Sequence, residues 1–288
     1  MSQKIIIASD STTDLSPELI EKYGVKIVAM GVTLGDRDYT DGVDINPDMI
    51  YEYYEKNGEL PKTAAVNIAQ FEEFFAENTK DGSAVILFTL SSEMSSTFSN
   101  ARLAAEDFEN VFVVDTRNLS TGGGLLVLTA AELAAEGKEA KEIAEECERL
   151  TSHVDASFII DNLEFLYKGG RCSAVAKVGA TVLGLKPCIM VKEGKMGVGK
   201  KYRHPKGFAG VLPVYVGDRL GDASDVYTDK IFVTHAGCAP EIIESCVNKV
   251  KEIAPEANVM ITRAGCTISS HCGRNTLGVL FIRKTPIV

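Results

Sequence analysis

Long apolar runs are missing from this sequence. The longest, Leu125 to Ala135, is interrupted by Thr129 and Glu132, and a bilayer span needs about 20 apolar residues. Ile5-Ile6-Ile7 near the start is too short for the apolar core of a secretory signal. An excess of basic residues is missing too, with 30 Lys and Arg against 40 Asp and Glu, which leaves room only for a small local basic patch. The net charge of -10 argues against a surface for nucleic-acid phosphates and against general attraction to anionic lipid. The seven cysteines are odd in number and form no C-x-x-C. Such a set fits reduced thiols rather than a disulfide framework or a zinc site, so a cytoplasmic location is expected. Low-complexity tracts and long like-charge runs are absent, which excludes broad disorder. Three signatures of catalysis also fail to appear: the phosphate loop G-x-x-x-x-G-K-[ST], the nucleophile elbow G-x-S-x-G, and G-x-G-x-x-G, whose spacing Gly122-Gly123-Gly124 does not match.

What is present reads as a globular α/β protein. The 288 residues, 45% apolar and 24% charged, suffice for two domains or one large one. Short buried strands are expected at Lys4–Ala8, Lys26–Met30, Ala84–Phe88 and Val111–Asp115. Helical segments separate them: Ser16–Tyr23, with Ser16 as N-cap and Pro17 at the first helical position, Asn67–Asn78, and about Ser95 to Glu106. Buried strands alternating with helices predict a mainly parallel sheet covered on both faces. Two helices, Leu119–Ala135 and Ala140–Leu150, close this N-terminal lobe. Its boundary is expected near His153, giving lobes of 1–153 and 154–288. The C-terminal lobe shows a short helix at Leu163–Lys168. Its expected strands are Ser157–Ile160, Cys188–Val191, Ile231–Thr234, Asn258–Ile261 and Leu277–Ile282, for a second α/β sheet of unread order.

Ligands of open α/β sheets bind at the carboxyl ends of the strands. Two of those ends are rich in hydroxyls. Ser9, Ser11, Thr12 and Thr13 follow the first strand, and Thr89, Ser91, Ser92, Ser95, Ser96 and Thr97 follow the third. Small hydroxyl groups and free helix amides favour an anion; capping and turn formation are the plainer use of the same residues. Asp10-Ser11-Thr12 invites a phosphatase reading, but a D-x-D pair needs a second Asp where Thr12 stands. None of the four histidines pairs with another ligand at metal-like spacing, so no metal or other cofactor is expected. His271, between Thr267-Ile268-Ser269-Ser270 and Gly273, reads as part of a loop entering the last strand. A lone His in such a place is usually a satisfied structural residue; the alternative use is to donate a hydrogen bond to a carboxylate.

Taken together, these segments resemble the DegV family of bacterial fatty-acid-binding proteins. Ser9-Asp10-Ser11-Thr12-Thr13-Asp14-Leu15 is similar to its opening motif, Pro61-Lys62-Thr63 to the start of P-K-T-S-Q, and Leu90 through Phe98 to S-S-x-L-S-G-T-Y. Val114-Asp115-Thr116 through Leu126, the run Leu163-Glu164-Phe165-Leu166-Tyr167-Lys168-Gly169-Gly170-Arg171, His235-Ala236-Gly237 and His271-x-Gly273 follow in the family's order. The resemblance implies a long-chain fatty acid held between two α/β lobes, with Thr63, Ser95 and His271 at its carboxylate. It also implies a non-catalytic subunit that presents the acid to a separate fatty acid kinase, and membrane contact only in passing, for ligand exchange. Arg203, downstream of the Gly194-Lys195 turn, would then serve the phosphoryl group or kinase docking, and Arg171 a structural or docking role. Departures fall at Ala64-Ala65-Val66-Asn67 after Thr63, at Ser96 in place of Gly, and at Cys272-Gly273-Arg274-Asn275. They bear on acyl preference and kinase partnership. A stand-alone lipid carrier or sensor is the alternative, and a phosphatase or hydrolase built on Asp10 a further one.

Overall fold

A computed structural model describes residues 3–172 and 184–287. Seven strands precede residue 120: β1 (Ile5–Asp10), β2 (Lys26–Val28), β3 (Gly31–Leu34), β4 (Arg37–Thr40), β5 (Lys62–Ala64), β6 (Ala84–Thr89) and β7 (Val111–Asp115). Four of them form the expected parallel sheet, in the order β2–β1–β6–β7. Every residue of β6 is buried, which is why it reads as an unbroken apolar run. Ile6, Ala8, Val85 and Leu87 face Phe71 and Phe75 of the helix Ile68–Thr79 and Ala101 of the helix Thr97–Ala104. Ile7, Ile86 and Phe88 face the helices Thr121–Ala135 and Ala140–Leu150.

The second sheet holds β8 (Val154–Ile160), β9 (Lys186–Lys192), β10 (Lys195–Tyr202), β11 (Val226–Ala236), β12 (Val259–Arg263) and β13 (Thr276–Arg283). Their order is β10–β9–β8–β13–β11–β12, antiparallel except for the pair β11 and β12. The helices Gly207–Leu220 and Pro240–Ile253 cover one face. The other face, through Ala156, Phe158, Phe232 and Leu280, packs with the helix Thr121–Ala135. That helix is therefore wedged between the two sheets, touching β1 and β6 on one side and β8, β11 and β13 on the other. A helix apolar all round suits such a place. Its three glycines permit the approach. A Cβ at Gly122 would lie 3.2 Å from Ala156 Cβ, and one at Gly124 2.9 Å from Leu15 Cδ2 and 3.0 Å from the Thr13 carbonyl oxygen. The chain passes to the second sheet at Val154, but the apolar core runs across that point without a break.

A third, smaller sheet was not foreseen. β3 lies between β4 and β5, antiparallel to both, and the helix Pro47–Asn57 packs beside it. β10 and the helices Gly207–Leu220 and Pro240–Ile253 also lie outside the sequence expectation. One expectation is corrected outright. His271 is not on a loop but in the last turn of a helix, Cys266–Cys272. Ser and Thr are weak helix formers because their side chains bond to nearby backbone, so this helix depends on contacts from elsewhere in the chain.

Candidate ligand-binding site

A cavity of about 520 Å³ lies between the two main sheets and the small one, within the range of about 300–1,000 Å³ typical of small-molecule sites. Met30, Leu90, Met94, Leu119, Phe158, Leu166, Met196, Ile268 and Leu280 give it an apolar wall. Thr63, Ser95, Arg171 and His271 line it as well. Four of the five residues singled out from the sequence are thus brought to one cavity.

Thr63 is on β5, and its Oγ1 lies 2.9 Å from His271 Nε2. His271 Nδ1 is buried without a partner. A neutral imidazole carries one N–H, and placing it on Nε2 leaves a lone pair, not a donor, unmatched. Nε2–H then donates to Thr63, and the Thr63 hydroxyl hydrogen stays free for a group in the cavity. Burial pushes the His271 pKa down to about 4, and the nearby Arg171 charge adds to the effect. The side chain is therefore a neutral donor at physiological pH. Gly169 backs it closely, since a Cβ there would lie 2.7 Å from Nδ1. This packing explains the first glycine of Lys168-Gly169-Gly170-Arg171. The second, Gly170, ends the helix Glu164–Gly169 at φ 70°. Arg171 Nη1 donates to the Gly169 carbonyl at 2.9 Å.

Ser95 stands just before the helix Thr97–Ala104. Its Oγ accepts from the Thr97 N–H at 3.2 Å and lies 2.9 Å from Thr97 Oγ1. Arg203 follows β10, is exposed, and is not part of the cavity wall. Met196, on the same strand, is. The seven steps from Met196 to Arg203 place Arg203 about 20 Å along the strand.

The hydroxyls after β1 are spent inside the protein, Ser11 Oγ donating to Asp41 at 3.1 Å and accepting from Met30 N at 3.1 Å. Ser9 Oγ and Thr13 Oγ1 are 3.0 Å apart. Asp10 accepts from Thr12 N at 3.0 Å, Thr12 Oγ1 at 2.6 Å and Leu90 N at 2.7 Å. Both of its oxygens are engaged and it is fully buried, so Asp10 braces a turn and is not presented as a nucleophile. After β6, Ser91 Oγ donates to the Gly194 carbonyl at 2.8 Å, and Arg117 donates to that of Glu193. The β9–β10 turn is thereby held on the first lobe beside the Ser95 loop. Arg117 and the cavity residues Ser120, Thr234 and Thr267 were given no role from the sequence, and Ser91 was named there only as one of a cluster of hydroxyls. Only their neighbours across the lobes give them meaning.

The DegV family model, described as that of an uncharacterised protein, matches residues 4–284. The chain belongs to the DegV family. A DegV domain-containing protein of Clostridium acetobutylicum is 32% identical over 284 residues, covering 98% of this chain and 99% of the relative. The fold matches a DegV family protein from Thermus thermophilus, described by its fatty acid binding, with a TM-score of 0.84 and 28% identity over 98% of this chain and 100% of that one. A stearic-acid-binding protein from Eubacterium ventriosum matches with a TM-score of 0.83 and 26% identity over 98% of each chain. Among the described residues, no helix is long and apolar enough to cross a membrane.

Proposed function

We propose that this DegV protein binds one long-chain fatty acid in its cavity, with the carboxylate at Thr63, Ser95 and His271 and the tail against the methionines, leucines and Phe158. The observation that carries this reading is the convergence of Thr63, Ser95 and His271 on one end of a cavity whose wall is largely apolar. DegV relatives described as fatty-acid-binding support it. Each buried methylene contributes about 0.8 kcal/mol, so a long tail supplies most of the affinity and the donors need only orient the head. A neutral His271 suits a head group that is to react, because it does not lock the carboxylate in an ion pair.

The protein itself is read as non-catalytic. A separate kinase would phosphorylate the bound carboxylate, with Arg203 on the exposed end of β10 as part of the surface it meets. About 20 Å of strand separates Arg203 from Met196, which favours docking over contact with the phosphoryl group.

Native mass spectrometry of the purified protein, with organic extraction, tests the first claim. One fatty acid per chain is expected. Folded protein that carries none and takes up none when it is added sinks the reading. For the kinase, Arg203→Ala should slow acyl-phosphate formation in a coupled assay and leave fatty-acid affinity unchanged; equal rates would make Arg203 an ordinary surface residue.

A further inference from the structure

The helix Cys266–Cys272 carries His271, yet seven residues of this composition do not hold a helix alone. What fixes its start comes from far away in the chain. Asp41, just past β4, is buried. Its Oδ1 accepts from Cys266 N at 2.9 Å, and its Oδ2 from Thr267 N at 3.0 Å and Thr267 Oγ1 at 2.6 Å. Asp14, also buried, accepts from Gly265 N at 2.8 Å and from the Ser120 hydroxyl. Three successive backbone N–H groups at the helix start, which lack partners inside a helix, therefore end on two aspartate side chains.

The end of the helix is held by the same small sheet. Val32 of β3 pairs with Tyr39 of β4 on one side and with Thr63 of β5 on the other. β4 and β5 are thus two strand spacings apart, about 9.6 Å. A seven-residue helix is about 10 Å long. The helix spans the sheet, with its first turn on Asp41 beyond β4 and its last turn on Thr63 of β5.

We propose that Asp41 is a positioning residue for carboxylate recognition, setting the helix along its axis and with it the pairing of His271 and Thr63. The inference rests on the fatty-acid reading of the cavity. A slip of 1 Å along the helix, a hypothetical figure of about that size, would stretch the contact past hydrogen-bonding range. Such a slip leaves the apolar wall from the other elements in place. Carboxylate recognition would then suffer while tail burial would not.

The experiment compares stearic acid with 1-octadecanol, which has the same tail and no carboxylate. Dissociation constants are measured on delipidated wild type, Asp41→Asn, His271→Ala and the double variant. Asp41→Asn should weaken the acid about tenfold and the alcohol less than about threefold, and should add nothing further in the His271→Ala background. Equal weakening of acid and alcohol, unchanged acid affinity, or full additivity with His271→Ala would overturn the proposal. Should Asp41→Asn fail to fold, Thr267→Val removes one of the four donors to Asp41, leaving Cys266 N, Thr267 N and Ser11 Oγ, and keeps the side-chain shape. It should weaken the acid selectively by about threefold, and an equal loss for both ligands counts against the proposal. A wild type that binds neither ligand would overturn the fatty-acid reading itself, and the inference with it.

Discussion

His271 ties the stability of the empty protein to pH in a way that can be isolated. Burial, with Arg171 adding, holds its pKa at about 4, against an ordinary value of 6.5. Between those two values the unfolded chain takes up a proton that the folded protein refuses. Stability therefore rises with pH through this window, and the gain is complete above 6.5. The depression of about 2.5 pH units corresponds to about 3 kcal/mol at most, at 1.36 kcal/mol per unit. Asp14 acts in the opposite sense. Burial raises its pKa to about 8, so its contribution falls as pH rises from its ordinary value of 3.8 towards 8. A comparison with His271→Gln cancels Asp14 and the other groups that both proteins share. Urea denaturation of the two delipidated proteins, at steps from pH 4.5 to 7.5, gives the difference directly. Any co-purified fatty acid must be removed first, because its carboxylate would favour a charged imidazole. Wild-type stability should climb by about 2 to 3 kcal/mol relative to His271→Gln between pH 4.5 and 7. Parallel curves would show that His271 titrates as it does in the unfolded chain, and the neutral-donor account of the head-group site would fail.

Three further substitutions test other parts of the structure. Thr63→Val keeps the shape of the side chain and removes a hydrogen bond to a charged partner, a loss of about 1.5 to 3 kcal/mol. Fatty-acid affinity measured by calorimetry should drop about 10- to 150-fold, and unchanged affinity would move the head group elsewhere. Ser95→Ala should weaken binding as well, and should also lower thermal stability by about 0.5 to 2 kcal/mol, because Ser95 accepts from the Thr97 N–H at the start of its helix; a loss of binding with no thermal effect would contradict that second role. Gly124→Val drives a side chain against Leu15 and the Thr13 carbonyl. It should cost about 1 to 3 kcal/mol by overpacking, and an unmoved melting temperature would mean that the central helix is not wedged between the sheets.

The parallel sheet was legible because its strands are short apolar runs buried on both faces, as in β6. The edge strand β10 was not, since Lys195, Lys200 and Lys201 are exposed and Gly197 and Gly199 break any alternation. β3, β4 and β5 are three or four residues long, too short for a period of two to show. The helix Pro47–Asn57 is a different case. Asn46 caps it, Pro47 opens it and Gly58 closes it, so the signals were there to be read. The helix Gly207–Leu220 hides behind Pro213 in its interior, which ordinarily argues against a helix.

The head-group site lies at the far end of this scale. Thr63 and His271 are 208 residues apart, and Asp41 and Cys266 are 225 apart. No local pattern joins them, and Thr63, Ser95 and His271 were named from family resemblance rather than from spacing. Resemblance pointed to the residues of the proposed head-group site but was silent on what holds them. Asp14 belonged to a recognised opening motif with no role attached, and Asp41 drew no notice. Both became intelligible only when the helix they cap was seen to carry His271. In this fold the small sheet that the sequence concealed supports the head-group site proposed from the motifs. A substitution in β4 or in the turn after it should therefore disturb binding more than its distance in sequence from His271 would suggest.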